Sequence, residues 1–317
     1  MALFAAKASG PLHEVEEYTR MLAGAEVNVA IGLKRLGHTA SYVTRLGMDP
    51  FGTYIENKLK EEGLDTQITR DPEHFTGLEL KGKARGGDPD TFYYRRNSAA
   101  SRLSVEDAER VDMTGAKVLH VTGIPPALSD SCRQATYRLI ERAREQGILV
   151  SFDPNLRPAL WKSEETMKET INDLAARSDI VLPGAAEGRI LTGSESPEKI
   201  ASYYRERGAR IVIVKAGAQG AYAESENEKG FFPGYKVRHV ADTVGAGDGF
   251  AVGVLSALLE GRPLGEMVDR GNAIGAIQVS VISDNEGLPT REELEAYMSC
   301  SAHVRRMGEN ESGAEAR

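Results

Sequence analysis

The alternation of short apolar runs with helix-like stretches from about Gly115 onward constrains this chain more than any other feature. "KVLHVTG" (Lys117 to Gly123) has the length and composition of a strand. "SDSCRQATYRLIERAREQG" repeats its apolar residues at helical spacing and stops at Gly147, and "ILVSFDP" is the next strand. The rhythm returns with "DIVLP", a helix around "PEKIASYYRERG", and "RIVIVK" (Arg210 to Lys215). Each such unit needs a crossover. The expected fold is therefore α/β, a doubly wound and mostly parallel sheet flanked by helices, with ligands bound beyond the carboxyl ends of the strands.

The first third departs from that pattern. "AEVNVAIGLKRLG" reads as an amphipathic helix with a glycine stop, "TASYVTRLG" as a strand and "FGTYIENKLKEEG" as another helix. "TGLELKGK" and "TFYYRR" then read as two strands joined by "ARGGDPD". A hairpin inserted into a βαβ series is not needed for the layered core, so it is assigned as a small β lid over the active edge, built from about 8–20 and 75–97. Residues 1–300 are expected to form one domain, and the polar tail 301–317 to be disordered.

Bulk properties exclude several classes. A formal charge of -8 with no run of Lys and Arg disfavours duplex nucleic acid as a partner. Two cysteines, Cys132 and Cys300, make neither a disulfide framework nor a metal pattern. No apolar run approaches the roughly 20 residues of a membrane helix, and "MALFAAKASG" lacks the long apolar core of a signal peptide, so a cytoplasmic location is expected.

The stretch "DTVGAGDGFAVGVLSALLEG" (Asp242 to Gly261) carries the chemistry. Gly245, Ala246 and Gly247 lead into Asp248, behind which Phe250, Val254, Leu255, Leu258 and Leu259 recur at helical spacing. Unpaired amides at a helix start favour an anion, and glycines let the backbone approach it, so the turn reads as a phosphate cradle. Asp248 stands where it can accept the proton of a substrate hydroxyl, and the helix terminus is expected to keep it ionised and weakly basic. The competing reading is a helix cap after a tight turn, and this stretch does not decide between them. The Walker A pattern and the dinucleotide fingerprint are both absent, the latter because position 250 is Phe250. Upstream, "KAGAQGAY" (Lys215 to Tyr222) makes a second glycine turn, either structural or in contact with a nucleotide.

Taken with "GAEVNVAIGLKRLG", "RLGMDPFG" and "SFDPNLRPALW", the pair KAGAQGAY and DTVGAGDGFAVG resembles the PfkB or ribokinase-like carbohydrate kinases from Gly10 to about Leu294. GAExNVA, FYYRR, SFDPNLRP and EGLPT resemble the branch acting on 2-keto-3-deoxygluconate. The resemblance implies a ribokinase-like fold and transfer of phosphate from ATP, with Mg²⁺, to the terminal hydroxyl of that sugar acid. It implies Asp248 as base and Gly245, Ala246 and Gly247 as the anion hole. Lys215, Gly217, Gly220, Thr243 and Asn272 fall in segments that surround ATP in such kinases. Gly24, Asn28, Tyr93, Arg95, Arg157 and Asp284 match positions expected to hold the sugar. Two arginines suit an acid, since a guanidinium grips a carboxylate with two parallel hydrogen bonds. Similar kinases often form homodimers through their lids, and the hairpin from Thr76 to Arg96 offers such a surface.

The chain departs from the family pattern in places. Glu187 matches the metal-organising Glu of an NxxE motif, with Gly184 where Asn is usual. Glu79 stands where a lid tyrosine is common, and Ser283 precedes Asp284 where relatives have glycine. Met1 aligns with an internal Met of relatives, whose opening strand floors the sugar site. That strand is expected to be missing from the chain as written, with loss of solubility and activity until about 20 upstream residues are restored. The alternatives are a kinase for a neutral ketose such as fructose, which would leave Arg95 and Arg157 without an anion, and a binding protein without turnover.

Overall fold

The computed structural model describes residues 1–83, 89–281 and 284–300. Ser283, part of the lid loop and the tail 301–317 lie outside the described residues. The chain opens with β1 (Ala2–Ala6), β2 (Tyr18–Leu22), α1 (Ala25–Arg35), β3 (Ser41–Gly47), α2 (Pro50–Glu61), β4 (Asp65–Asp71), β5 (Leu78–Lys81) and β6 (Thr91–Tyr94). The layered half follows as α3 (Val105–Arg110), β7 (Val118–Thr122), α4 (Ile124–Leu128), α5 (Asp130–Glu145), β8 (Leu149–Asp153), α6 (Glu164–Ala176), β9 (Ile180–Val181), α7 (Ala185–Thr192) and α8 (Pro197–Arg205). It continues with β10 (Ile211–Lys215), β11 (Gly220–Glu224), β12 (Lys229–Pro233), α9 (Ala246–Leu259) and α10 (Leu264–Gln278).

The strands divide among three sheets. The main one has the order β12-β11-β10-β9-β8-β7, parallel from β7 to β10 and antiparallel through β11 and β12. Its central strands β8, β9 and β10 read as largely apolar runs because both faces are covered. Ile180, Leu182 and Ile213 pack toward α1, α9 and α10, whereas Val181, Val212 and Val214 pack toward α5, α6 and α8. β3 and β4 form a separate parallel pair, and the outer edges of β3 and β7 line one cavity without pairing among the described residues. The crossover pattern called for one sheet, so this division is a finding of the structure.

The lid is a sheet of order β2-β1-β5-β6. Its β5–β6 hairpin is antiparallel as expected, and β1, which the sequence does not announce, pairs parallel to β5. Helix α9 is the central packing element: nine of its residues are buried. A methyl group on Gly32 of α1 would meet Val252 Cγ2 at 2.5 Å, and one on Gly253 would meet the α10 backbone at the same distance. Helices α9 and α10 therefore lie almost backbone to backbone, with α1 packed through Gly32 onto the Val252 side chain, which fixes where the start of α9 points.

Candidate active site

The carboxyl ends of the parallel strands open onto one cavity of about 1180 Å³, lined among others by Asp153, Glu187, Lys215 and Asp248. Asp248 sits in the first turn of α9. Its Oδ2 accepts a hydrogen bond from Asn28 Nδ2 on α1 at 2.8 Å, and Asn28 Oδ1 in turn accepts from Asn285 Nδ2 at 3.2 Å. Asn155 Nδ2 reaches Asp248 Oδ1 at 3.5 Å. Burial pushes the Asp248 carboxyl up to about 7, with Asp153 and Glu26 adding to the rise and Asn28 and Lys215 opposing it. The expectation of a weak, fully ionised base is corrected here: desolvation outweighs the helix terminus and leaves a carboxyl poised near neutral pH.

Ahead of Asp248 the turn is shaped for an anion. Gly245 caps α9 at φ +79°, a left-handed conformation that side chains resist. The amides of Gly247 and Asp248 have no backbone acceptor in the turn that precedes them. A methyl group on Gly247 would stand 3.6 Å from Lys215 Nζ, so the glycine keeps the space between helix start and ammonium clear. Lys215 ends β10 and pairs with Asp153, at the end of β8, over 2.6 Å. Burial opposes its charge, but Asp153 and Glu187 prevail and hold its pKa above the ordinary value. Glu187 accepts from the amides of Leu156 and Gly184, each at 2.7 Å, so Gly184 contributes its backbone where a side chain was expected. Burial raises the Glu187 carboxyl.

A positively charged group lines the opposite wall. Arg95 is buried, its Nε has no hydrogen-bond partner, and it forms no ion pair among the described residues. Its guanidinium stacks on the Tyr93 ring, 4.2 Å from the centroid. Burial lowers its pKa, and the charge of Arg157 adds to that effect. Arg157 donates to Asn155 Oδ1 at 2.7 Å and to the Leu156 carbonyl at 2.9 Å, so its guanidinium is held within the loop after β8. Glu79 is buried beside this group, and its carboxyl is pushed up to about 7 by burial and by Asp284.

The cavity thus gathers Gly24, Asn28, Tyr93, Arg95, Arg157, Glu187, Lys215, Thr243, Gly245, Gly247, Asp248 and Asp284. Ala246, Gly217, Gly220 and Asn272 do not line it. Gly217 and Gly220 form the turn after Lys215, and Asn272 donates to the carbonyls of Phe232 and Pro233, at 3.4 and 3.3 Å, bracing β12 behind that turn. Asp153, Glu26 and Asn155 were not singled out from the sequence. The run "DPN" ending a strand was the signal for Asp153 and Asn155, whereas Glu26, hydrogen bonded by Thr122 at 2.5 Å, left none.

The open cradle facing Lys215 fits the terminal phosphates of a nucleotide. No group of three or more His, Cys, Asp or Glu side chains that could hold a metal was found among the described residues. Asp153 and Glu187 suit Mg²⁺ held chiefly by phosphate oxygens and water. No helix is long and apolar enough to cross a membrane among the described residues.

Comparison with known proteins places the chain in a family. The profile of the pfkB family carbohydrate kinases matches residues 1–291. The chain is 49% identical to the 2-dehydro-3-deoxygluconokinase of Bacillus subtilis (strain 168) over 96% of its own length and 94% of the relative's. Its fold superposes on the crystal structure of a PfkB protein from Polaromonas sp. JS666 with a TM-score of 0.85 at 46% identity, covering 93% of this chain and 96% of that one. A putative ribokinase II from E. coli, solved in complex with ATP and Mg²⁺, superposes with a TM-score of 0.85 at 25% identity, covering 94% and 96%.

Proposed function

The chain belongs to the PfkB family of carbohydrate kinases, and from that premise we propose that it transfers the γ-phosphoryl group of ATP to the terminal hydroxyl of 2-keto-3-deoxygluconate. The observation that carries the substrate is Arg95: a buried guanidinium with no ion pair among the described residues, next to Arg157 in the cavity that holds Asp248. A neutral sugar would leave both charges uncompensated, whereas a carboxylate neutralises them and is gripped by planar donors.

In this reading the sugar lies with its acid end toward Arg95 and Arg157 and its terminal hydroxyl at Asp248. The hydroxyl oxygen forms the new bond to phosphorus as the bond to the β-phosphate oxygen breaks, and the hydroxyl proton passes to the Asp248 carboxylate. Asn28 fixes the carboxylate by its hydrogen bond to Oδ2. The amides at the start of α9 and the Lys215 ammonium meet the charge on the transferring group. Asp153 and Glu187 are the residues that would hold Mg²⁺, which would supply positive charge to offset the negative charge of the phosphates. Exposed Phe92 and Tyr94 on β6, the edge of the lid sheet, suit contact with the lid of a second copy, which light scattering tests.

The deciding experiment is coupled ADP release with a panel of sugar acids and neutral ketoses. The expected result is a kcat/KM for 2-keto-3-deoxygluconate at least 10²-fold above that for fructose. Equal or greater use of fructose would overturn the assignment.

A further inference from the structure

Lys81 ends β5 with its ammonium buried between two carboxylates. Nζ lies 2.6 Å from Asp242 Oδ2 and donates to Asp284 Oδ1 at 2.9 Å, and the three side chains are only 4%, 2% and 6% exposed. Each partner belongs to a different working part. Asp242 opens the turn of the anion hole and braces it, its Oδ1 accepting from the Val244 amide at 3.0 Å. Asp284 belongs to the segment after α10, and a methyl group on Gly245 would stand 2.5 Å from its carbonyl oxygen, so this segment abuts the turn directly. Lys81 itself belongs to the lid, as the last residue of the stretch on which β5 pairs with β1 and β6.

Two carboxylates buried this closely repel one another, and a single cation between them converts that repulsion into a tie. Burial disfavours the Lys81 charge, yet Asp284 and Asp242 outweigh it and keep the ammonium protonated. The same strand face carries Glu79 two residues earlier, and both side chains line up toward the cavity side of the lid. The mechanism above uses neither Lys81 nor Asp242.

We propose that Lys81 is a positioning residue for phosphoryl transfer, whose ammonium locks the lid strand, the anion-hole turn and the Asp284 segment into one unit. Because one atom serves all three, the lid cannot leave its working place without releasing the turn that holds the phosphoryl group. Lid position and anion-hole geometry then change together. The inference rests on the kinase reading given above.

The test compares Lys81→Met, which keeps length and removes charge, with Lys81→Arg, which restores a cation. Glu260→Gln serves as control, since it breaks an ion-pair hub at the far end of α9 and contacts neither Asp248, Lys215, Arg95 nor Lys81. In assays well below each melting temperature, Lys81→Met is expected to lower kcat about 10–10²-fold, Lys81→Arg to recover much of that loss, and Glu260→Gln to lower the melting temperature with kcat unchanged. Should Lys81→Met not fold, Lys81→Met with Asp242→Asn keeps the local net charge and is expected to show the same loss. A folded charge-removed variant with kcat within threefold of the parent would overturn the proposal. Hydrogen exchange provides a readout independent of any sugar: protection of 76–81 and 242–248 should fall together in Lys81→Met. Loss confined to 76–81 overturns the lock. A parent that phosphorylates no sugar acid refutes the kinase substrate instead and leaves the exchange experiment decisive for Lys81.

Discussion

Asn28 Nδ2 donates to Asp248 Oδ2 across 2.8 Å, although 220 residues separate the two in sequence. The bond joins the first turns of α1 and α9, so α1 also orients the carboxylate proposed as the base. Burial has left the Asp248 carboxyl near neutrality, which makes its protonation state, and not only its place, adjustable.

Asp248→Asn should preserve the fold and nearly preserve nucleotide affinity while lowering kcat about 10²–10⁴-fold. If Asp248 served only as a cap, Asn would replace it with both stability and kcat near parental. Steady-state kinetics, ATP affinity and melting temperature on this one variant separate the two roles.

The same carboxyl sets a pH dependence. Its pKa rises from 3.8 to about 7 on folding, so the folded state binds the proton more tightly than the unfolded state. The stability it contributes is fully present below pH 3.8 and is lost as pH climbs through about 7. Asp248→Asn is therefore expected to gain in melting temperature over the parent at pH 8, with the gap closing toward pH 4. Turnover of the parent should rise with pH through about 7 as the base ionises. A kcat/KM profile flat from pH 5.5 to 8.5 would remove the assignment of Asp248 as base.

Arg95→Gln should reduce kcat/KM for the sugar acid about 10–10²-fold, the worth of a lost charge-assisted hydrogen bond. Use of a neutral ketose should stay level or improve, because the variant no longer buries an unpaired guanidinium. Arg157→Lys should likewise weaken the sugar acid far more than ATP, a point charge replacing a two-pronged donor. Parallel losses for both ligands would show that the arginines do not read the carboxylate.

Gly245→Ala tests the cradle. Its φ of +79° disfavours any side chain, and the new methyl group would press on the Asp284 carbonyl at 2.5 Å. A stability loss of at least about 1–2 kcal/mol is expected from the backbone alone, with weaker nucleotide binding as the turn shifts. Denaturant unfolding and ATP titration check the two parts separately.

Glu260 offers a site where charge stabilises the fold without serving the chemistry. Arg270, the strongest influence, and Arg291 hold its carboxyl down to about 2. Its contribution is present above pH 4.5 and disappears as pH falls through about 2. Glu260→Gln should melt lower than the parent at pH 7, by an amount that shrinks as both are acidified.

The layered half was legible because its strands are covered on both faces and its helices on one, which writes period and polarity plainly into "RIVIVK" and "SDSCRQATYRLIERAREQG". The cradle was legible because Gly245, Gly247 and Asp248 are contiguous. What stayed hidden depends on long-range pairing: β1 gains its place only from β5, Asn28 its role only from Asp248, and Lys81 its meaning only from carboxylates about 160 and 200 residues away. The basicity of Asp248 was misjudged for the same reason, since desolvation is a property of neighbours and the helix terminus is a property of sequence.

The near-contact of α1, α9 and α10 at Gly32 and Gly253 bears on how such a chain can change over generations. A side chain at either glycine would push the helices apart and shift the carboxylate proposed as the base, so change at those positions is closed off. The lid wall that carries Tyr93 and Arg95 has no such neighbour on its outer side, as exposed Phe92 and Tyr94 attest. New acceptors can be tried out by rewriting a few lid positions while the transfer machinery is inherited intact, so diversification in this architecture should be recorded in the hairpin and erased from the helices.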